Sequence, residues 1–315
     1  MRPRRPRIGV GGGVVPMVEV VKEGDVSVLA AVSLPQLSPE RLRDVARAAD
    51  GAGLEELWLW EDCFFGGGIA SAAAVLAWTE RLRVGVGLLP VPLRNVALTA
   101  MEIASLHRLF PNRVKIGVGH GVQDWMAQVG AQVDSPMALL REHLTALRTL
   151  LRGEQVSMNG RYVRLDAVAL DWPPTSPAAV LAGATGPRSL RLCGELADGT
   201  ILTARTSPAG VRQARLLVDE GRQAGGRTEP HPLIAYVLAA PGEGGAERLE
   251  AIRRRLGYNS ISDTGVAGDA HAVAEGVQRW TEAGADTVVL QPTVDEPDPE
   301  GFVRFVASEV RPLVQ

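Results

Sequence analysis

Two short apolar runs, each ending in a glycine-rich loop and separated by one helical segment, constrain this chain more than any other feature. The first is Arg83–Asn95, RVGVGLLPVPLRN, and the second is Val114–Gly121, VKIGVGHG. Runs this short, bounded by glycine and proline, read as buried strands, and the segment between them has helical spacing. A strand–helix–strand unit of this kind belongs to a parallel sheet. In an α/β barrel, the loops leaving the C-terminal ends of the strands carry the ligand site. Glycine there lets the backbone approach a flat ligand. The segment is therefore read as part of a cofactor-binding face.

The rest of the chain repeats the unit. Strands are expected at Val26–Leu34, Leu57–Trp60, Leu82–Leu88, Arg113–Val118, Ala179–Gly183, Gly199–Thr203, Leu233–Leu238 and Thr287–Gln291. Ser38 is expected to cap a first helix, with Pro39 at its first position and an end near Gly51 or Gly53. Further helices are expected over Val96–Leu109, Pro136–Leu151, Arg188–Leu196, Pro208–Ala224, Ala270–Ala283 and Pro299–Val310. Asn159-Gly160, between the β-prone residues of Val156–Val163, signals a hairpin outside the main sheet. Eight strand–helix units give an α/β fold, a TIM (β/α)8 barrel with a small β-hairpin insertion, over residues 26–315. The doubly wound sheet is the competing architecture.

Composition bounds the partners. The chain has 315 residues, 46% hydrophobic and 22% charged, enough for one well-filled core. A net charge of −3 argues against nucleic acid as a partner. No run reaches the length of a membrane span. Cys63 and Cys193 lie far apart and fit no disulfide or metal framework, which suits a reducing cytoplasm. The basic start, Met1–Arg7, is followed by no secretory segment. Residues 1–25 are read as an N-terminal leader, a solvated tail rather than an anionic docking site. Gly9–Gly13 has almost no strand before it and Pro16 after it, so it is not read as a dinucleotide fingerprint.

Three loops carry candidate chemistry. Gly183–Arg188 (GATGPR) follows a strand and opens a helix, where free N–H groups attract phosphate and Thr185 adds a hydroxyl. Arg188 either adds charge there or faces solvent. Glu61, Asp62 and Cys63 leave the second strand, so at least one side chain points into the barrel mouth. A carboxylate there orients a cofactor ring or exchanges a proton, or else caps a helix or pairs with an arginine. Cys63 alone suits a small hydrophobe better than a nucleophile. His120, set between glycines at the exit of the fourth strand, fits a cofactor contact or an acid/base. Trp125 follows Asp124 on the same loop and is placed to wall an aromatic pocket. The other histidines share no ligand spacing, so no metal is expected.

The segments Leu57–Asp62 (LWLWED), Val86–Asn95 (VGLLPVPLRN), Leu109–Arg113 (LFPNR), Gly117–Met126 (GVGHGVQDWM) and Glu195–Gly199 (ELADG) together resemble the luciferase-like monooxygenase superfamily. The likeness is to its coenzyme F420-dependent oxidoreductases, of actinobacterial type. It runs from about Val26 to Asp198 and continues weakly to the end. It implies a barrel with an insertion and a deazaflavin or flavin lying across the strand ends. A non-prolyl cis peptide behind the cofactor ring falls, by this resemblance, at Gly87–Leu88. Gly119, His120 and Trp125 would line the cofactor, Gly183, Ala184, Thr185 and Gly186 would hold its phosphate, and Asp62 occupies the family's acidic position.

The next position, often an acid/base histidine in relatives, is Cys63, and a glutamate catalytic in sugar-phosphate-oxidising relatives is replaced by Val122. Both departures argue against a sugar phosphate as substrate. The resemblance thus implies an F420-dependent hydride transfer to or from a small organic substrate, with His120, Asp62 or Glu61 moving the proton. An FMN-dependent monooxygenase and a non-catalytic F420- or flavin-binding protein are the alternatives. Many relatives are homodimers, and the same assembly is expected here.

Overall fold

The computed structural model describes residues 29–255, 257 and 263–314. The expected leader and residues 26–28 of the expected first strand lie outside them. The described strands are β1 (Leu29–Val32), β2 (Glu56–Leu59), β3 (Arg83–Pro90), β4 (Val114–Gly119), β5 (Val156–Asn159), β6 (Arg164–Val168), β7 (Val180–Gly183), β8 (Gly199–Leu202), β9 (Leu233–Pro241), β10 (Gly265–Gly268) and β11 (Thr287–Pro292). The helices are α1 (Leu42–Gly51), α2 (Gly68–Trp78), α3 (Val96–Leu109), α4 (Gln123–Gln128), α5 (Pro136–Leu151), α6 (Pro187–Leu196), α7 (Pro208–Ala224), α8 (Gly245–Arg255), α9 (Ala270–Glu282), α10 (Pro299–Phe305) and α11 (Arg311–Val314). Strands β1, β2, β3, β4, β7, β8, β9 and β11 pair in parallel in that order, and β11 returns to β1. The sheet closes into the TIM barrel expected from the sequence.

Side-chain alternation along each strand divides the core in two. Leu29, Ala31, Leu57, Leu59, Ala235 and Val237 pack outward under the helices, in the larger cluster. Ala30, Val32, Trp58, Ile201, Ile234, Tyr236 and Val289 fill the inside of the cylinder. The inner face is lopsided. A Cβ built on Gly85 would stand 2.3 Å from Trp58 Cδ2, and one on Gly117 2.4 Å from Ile201 Cδ1. One on Gly87 would stand 2.3 Å from the Tyr236 hydroxyl. The glycines of β3 and β4 are thus slots for large side chains reaching in from β2, β8 and β9. Below them the buried Glu56 carboxylate accepts from Lys115 Nζ at 2.5 Å and Trp58 Nε1 at 3.2 Å.

Several local expectations need correction. Ser38 makes no side-chain cap, and a single 3-10 turn, Pro39–Arg41, precedes α1. The hairpin forms, but Asn159-Gly160 is not its tight turn. Asn159 pairs with Arg164, and the Glu142 carboxylate of α5 accepts from the N–H groups of Arg161, Tyr162 and Val163 at 2.8–2.9 Å. The expected last helix ends as α10 and continues as a π-helical turn, Val306–Val310. Helices α2, α4 and α8 and strand β10 escaped the pattern, so Asp124 and Trp125, expected on a loop, stand on α4. Helix α2 (GIASAAAVLAW) is apolar on nearly every side and so has no period. Strand β10 (GVAG) is half glycine, a composition of low strand propensity. It pairs with Leu238–Pro241 of β9, beyond the residues that β8 uses, and extends the wall at the barrel mouth.

Gly85→Ala is expected to destabilise the fold by about 1–3 kcal/mol, because the enclosed Trp58 ring has nowhere to retreat. Urea denaturation of the two proteins checks this.

Candidate active site

The C-terminal ends of the barrel strands surround a cavity of about 620 Å³, a volume typical of cofactor and small-molecule sites. Its β3 side is shaped by a bulge. Val86 pairs with Ile116 and Leu89 with Val118, so Gly87 and Leu88 together oppose Gly117 alone. The Gly87–Leu88 peptide is cis, and so is Cys63–Phe64. The Tyr236 hydroxyl donates to the Gly87 carbonyl at 3.5 Å, a long contact, and burial pushes its pKa up.

Of the expected cofactor positions, Asp62, Gly87, Leu88, His120, Trp125, Gly183, Ala184 and Thr185 line the cavity. Gly119 and Gly186 do not. Gly119 is buried behind Leu88, whose Cδ2 stands 2.5 Å from where a Gly119 Cβ would be and 2.2 Å from one on Gly183. These two glycines make room for the Leu88 side chain. Gly186 is the N-cap residue of α6, a step beyond the lining.

Adjacent acids at the end of β2 have different fates. Glu61 is engaged: Arg94 donates to Oε1 at 2.8 Å and to Oε2 at 2.6 Å, and the Gly68 N–H at the start of α2 donates to Oε2 at 2.8 Å. It both pairs with an arginine and holds a helix start, the structural role left open by the sequence. Arg94 is shared with Glu102, at 2.5 Å. Asp62 has no such partner among the described residues. Burial raises its pKa, with no cation beside it to pull the other way. Burial, followed by the charges of Asp62 and Glu61, also holds the Cys63 thiol above its ordinary pKa.

His120 Nε2 lies 3.1 Å from Ser189 Oγ on α6. Its Nδ1 is shielded from solvent and makes no hydrogen bond of standard geometry. Burial lowers the His120 pKa, and the nearby Pro136 carbonyl opposes that shift. The ring is therefore disposed to be neutral near pH 7.

The sequence reading missed the opposite side of the cavity, formed by Leu34, Trp60, Tyr236, Leu238, Ile252, Gln291 and Val294, with Arg255 at the rim. Strand parity was the available signal for Trp60, Tyr236 and Leu238, which share the inward face with Trp58 and Ile234. Ile252 and Arg255 come from α8, a helix whose apolar side is short, with Leu249 and Ile252 among many charged residues.

Fold and cavity together define an α/β-barrel protein with a ligand site at the carboxyl ends of its strands. Residues 25–287 match the luciferase-like monooxygenase family, and the chain belongs to that family. A 5,10-methylenetetrahydromethanopterin reductase of Methanolobus tindarius is 28% identical over 165 residues, 52% of this chain and 50% of that protein. An F420-dependent glucose-6-phosphate dehydrogenase of Nakamurella multipartita is 30% identical over 192 residues, 56% of each chain. The chain spans about half the length of these curated relatives. The coenzyme F420-dependent tetrahydromethanopterin reductase from Methanopyrus kandleri superposes with a TM-score of 0.78 at 20% identity, over 91% of this chain and 99% of that one. At that identity the likeness is one of fold.

Asp62 generates a stability prediction. Its pKa is raised in the folded state, so the fold prefers the protonated acid and loses stability as pH rises through the carboxylate range. Asp62→Asn is expected to raise Tm at neutral pH, with the gain shrinking to nothing once the unfolded carboxylate is also protonated. Calorimetry across pH reads this directly.

Proposed function

We propose that the protein is an oxidoreductase that uses coenzyme F420 to move a hydride to or from a small organic substrate. One arrangement carries the reading: the bulged Gly87–Leu88 wall and the unpaired Asp62 carboxyl bound the same cavity. Two similar proteins, the Nakamurella multipartita dehydrogenase and the Methanopyrus kandleri reductase, are F420-dependent, which points the same way. A deazaflavin, when bound, supplies a ring carbon that accepts or releases hydride.

The residues present fit such a group. Gly87 and Leu88 would back the ring, and His120 and Trp125 would flank it. The α6 N-terminus, with the Ser189 N–H and the exposed Thr185 hydroxyl, would receive a phosphate. Asp62 handles the proton. Burial raises its pKa, which brings it closer to the range in which a carboxyl exchanges a proton with the substrate atom that gains charge as hydride arrives, and takes it back in reverse. Glu61 is left out of the chemistry because Arg94 and Gly68 already use both its oxygens. A cytoplasmic homodimer completes the proposal. It is supported by the exposed Leu98, Met101 and Leu109 on α3 and by two free cysteines. No described helix is long and apolar enough to cross a membrane.

Titration of the protein with F420 and with FMN tests the cofactor. Saturable quenching of F420 fluorescence is expected, and tight FMN binding without F420 binding would overturn the assignment. Oxygen consumption with reduced FMN would favour the monooxygenase alternative, and F420 binding with no turnover across a broad substrate panel the carrier. Asp62→Asn is expected to lower kcat by roughly 100-fold or more while the cofactor still binds.

A further inference from the structure

The two sides of the cavity differ in kind. On the β3–β4–β7 side the small residues Gly87, Gly121, Gly183 and Ala184 are interspersed with Leu88, His120 and Trp125. The facing side is built from large side chains: Trp60, Tyr236, Leu238, Ile252 and Val294, from β2, β9, α8 and the loop after β11. Trp60 and Tyr236 meet edge to face, with ring centroids 5.7 Å apart, which fixes the shape of that side. Gln36 and Gln291 supply its neutral polar groups.

Charge is arranged to match. Glu61 is neutralised by Arg94. Among the described residues no cation acts on Asp62, and burial raises the Asp62 pKa and lowers that of His120, in each case against the charged form. Among the described residues, the cation lining the cavity is Arg255, exposed at the rim. An anion carried to the inner part of this space would lose its water, face Asp62 and meet no compensating charge from the described residues.

We infer that the side-chain wall selects an uncharged, largely apolar, ring-sized substrate bearing a neutral polar group, and excludes phosphorylated or carboxylated ones. The inference rests on the hydride-transfer reading above for the word substrate, but the selection itself belongs to the cavity. Segments the sequence did not reveal as structured, α8 foremost, supply part of the selecting surface.

Cyclohexanone and 4-oxocyclohexane-1-carboxylate share a ring and a ketone and differ in one charge. Isothermal titration of each, with and without F420, is expected to show the neutral ketone binding roughly tenfold or more tightly than the carboxylate. Val294→Arg, at an exposed position that tolerates a long side chain, is expected to narrow that gap. Equal or tighter binding of the carboxylate, tighter binding of glucose 6-phosphate than of the ketone, or no ketone binding would overturn the inference. F420 fluorescence on the same samples separates the two readings. Ketone preference without F420 binding keeps the selection and rejects the cofactor, whereas F420 binding without the preference does the reverse.

Discussion

The fit of large inward side chains into glycine slots on β3 and β4 is the contact on which this structure depends. Trp58, from the neighbouring strand, fills the space beside Gly85, and Ile201 and Tyr236 reach in towards Gly117 and Gly87, where an added Cβ would stand 2.3–2.4 Å from them. Interiors packed this closely tolerate no added methyl group without displacement. The slots also set the height of the cavity floor. Above Trp58 and Tyr236 the cylinder opens, and the ligand space begins where the interlocked rings end.

That packing shapes the site. The bulge at Gly87–Leu88 turns the Leu88 side chain over Gly119 and Gly183, so β3, β4 and β7 close one wall of the cavity. The other wall has Trp60, Tyr236 and Leu238 at its inward positions. Between the walls, electrostatics separates two neighbouring acids. Glu61 is fixed by a two-pronged arginine pair and a helix N–H, an arrangement of strong, oriented hydrogen bonds. Asp62, one residue on, is buried without such help and leans towards its neutral form. A group disposed in this way suits proton exchange better than charge pairing.

Much of this was legible beforehand. The eight barrel strands could be located because each is a short apolar run closed by turn residues, and α3, α5 and α7 because their periodicity is clean and their boundaries are marked by Asn95 or by serine-proline pairs. Asp62, His120 and Trp125 could be picked out because residues at strand exits in a barrel face one mouth. Segments with weak local signals were not legible: the uniformly apolar α2, the charged α8 and the glycine-rich β10. Gly119 was misread for a different reason. Its glycine suggested a close approach to a ligand, but the space beside it belongs to Leu88, a residue far away along the chain.

Local periodicity and short connections were enough to locate the eight barrel strands, to close them into a barrel and to point to the mouth where the candidate residues gather. Tertiary structure decided which of two adjacent carboxylates is free, which glycines serve packing rather than binding, and which side chains close the cavity. Each of those outcomes depends on partners tens or hundreds of residues distant, and no local pattern records such a distance.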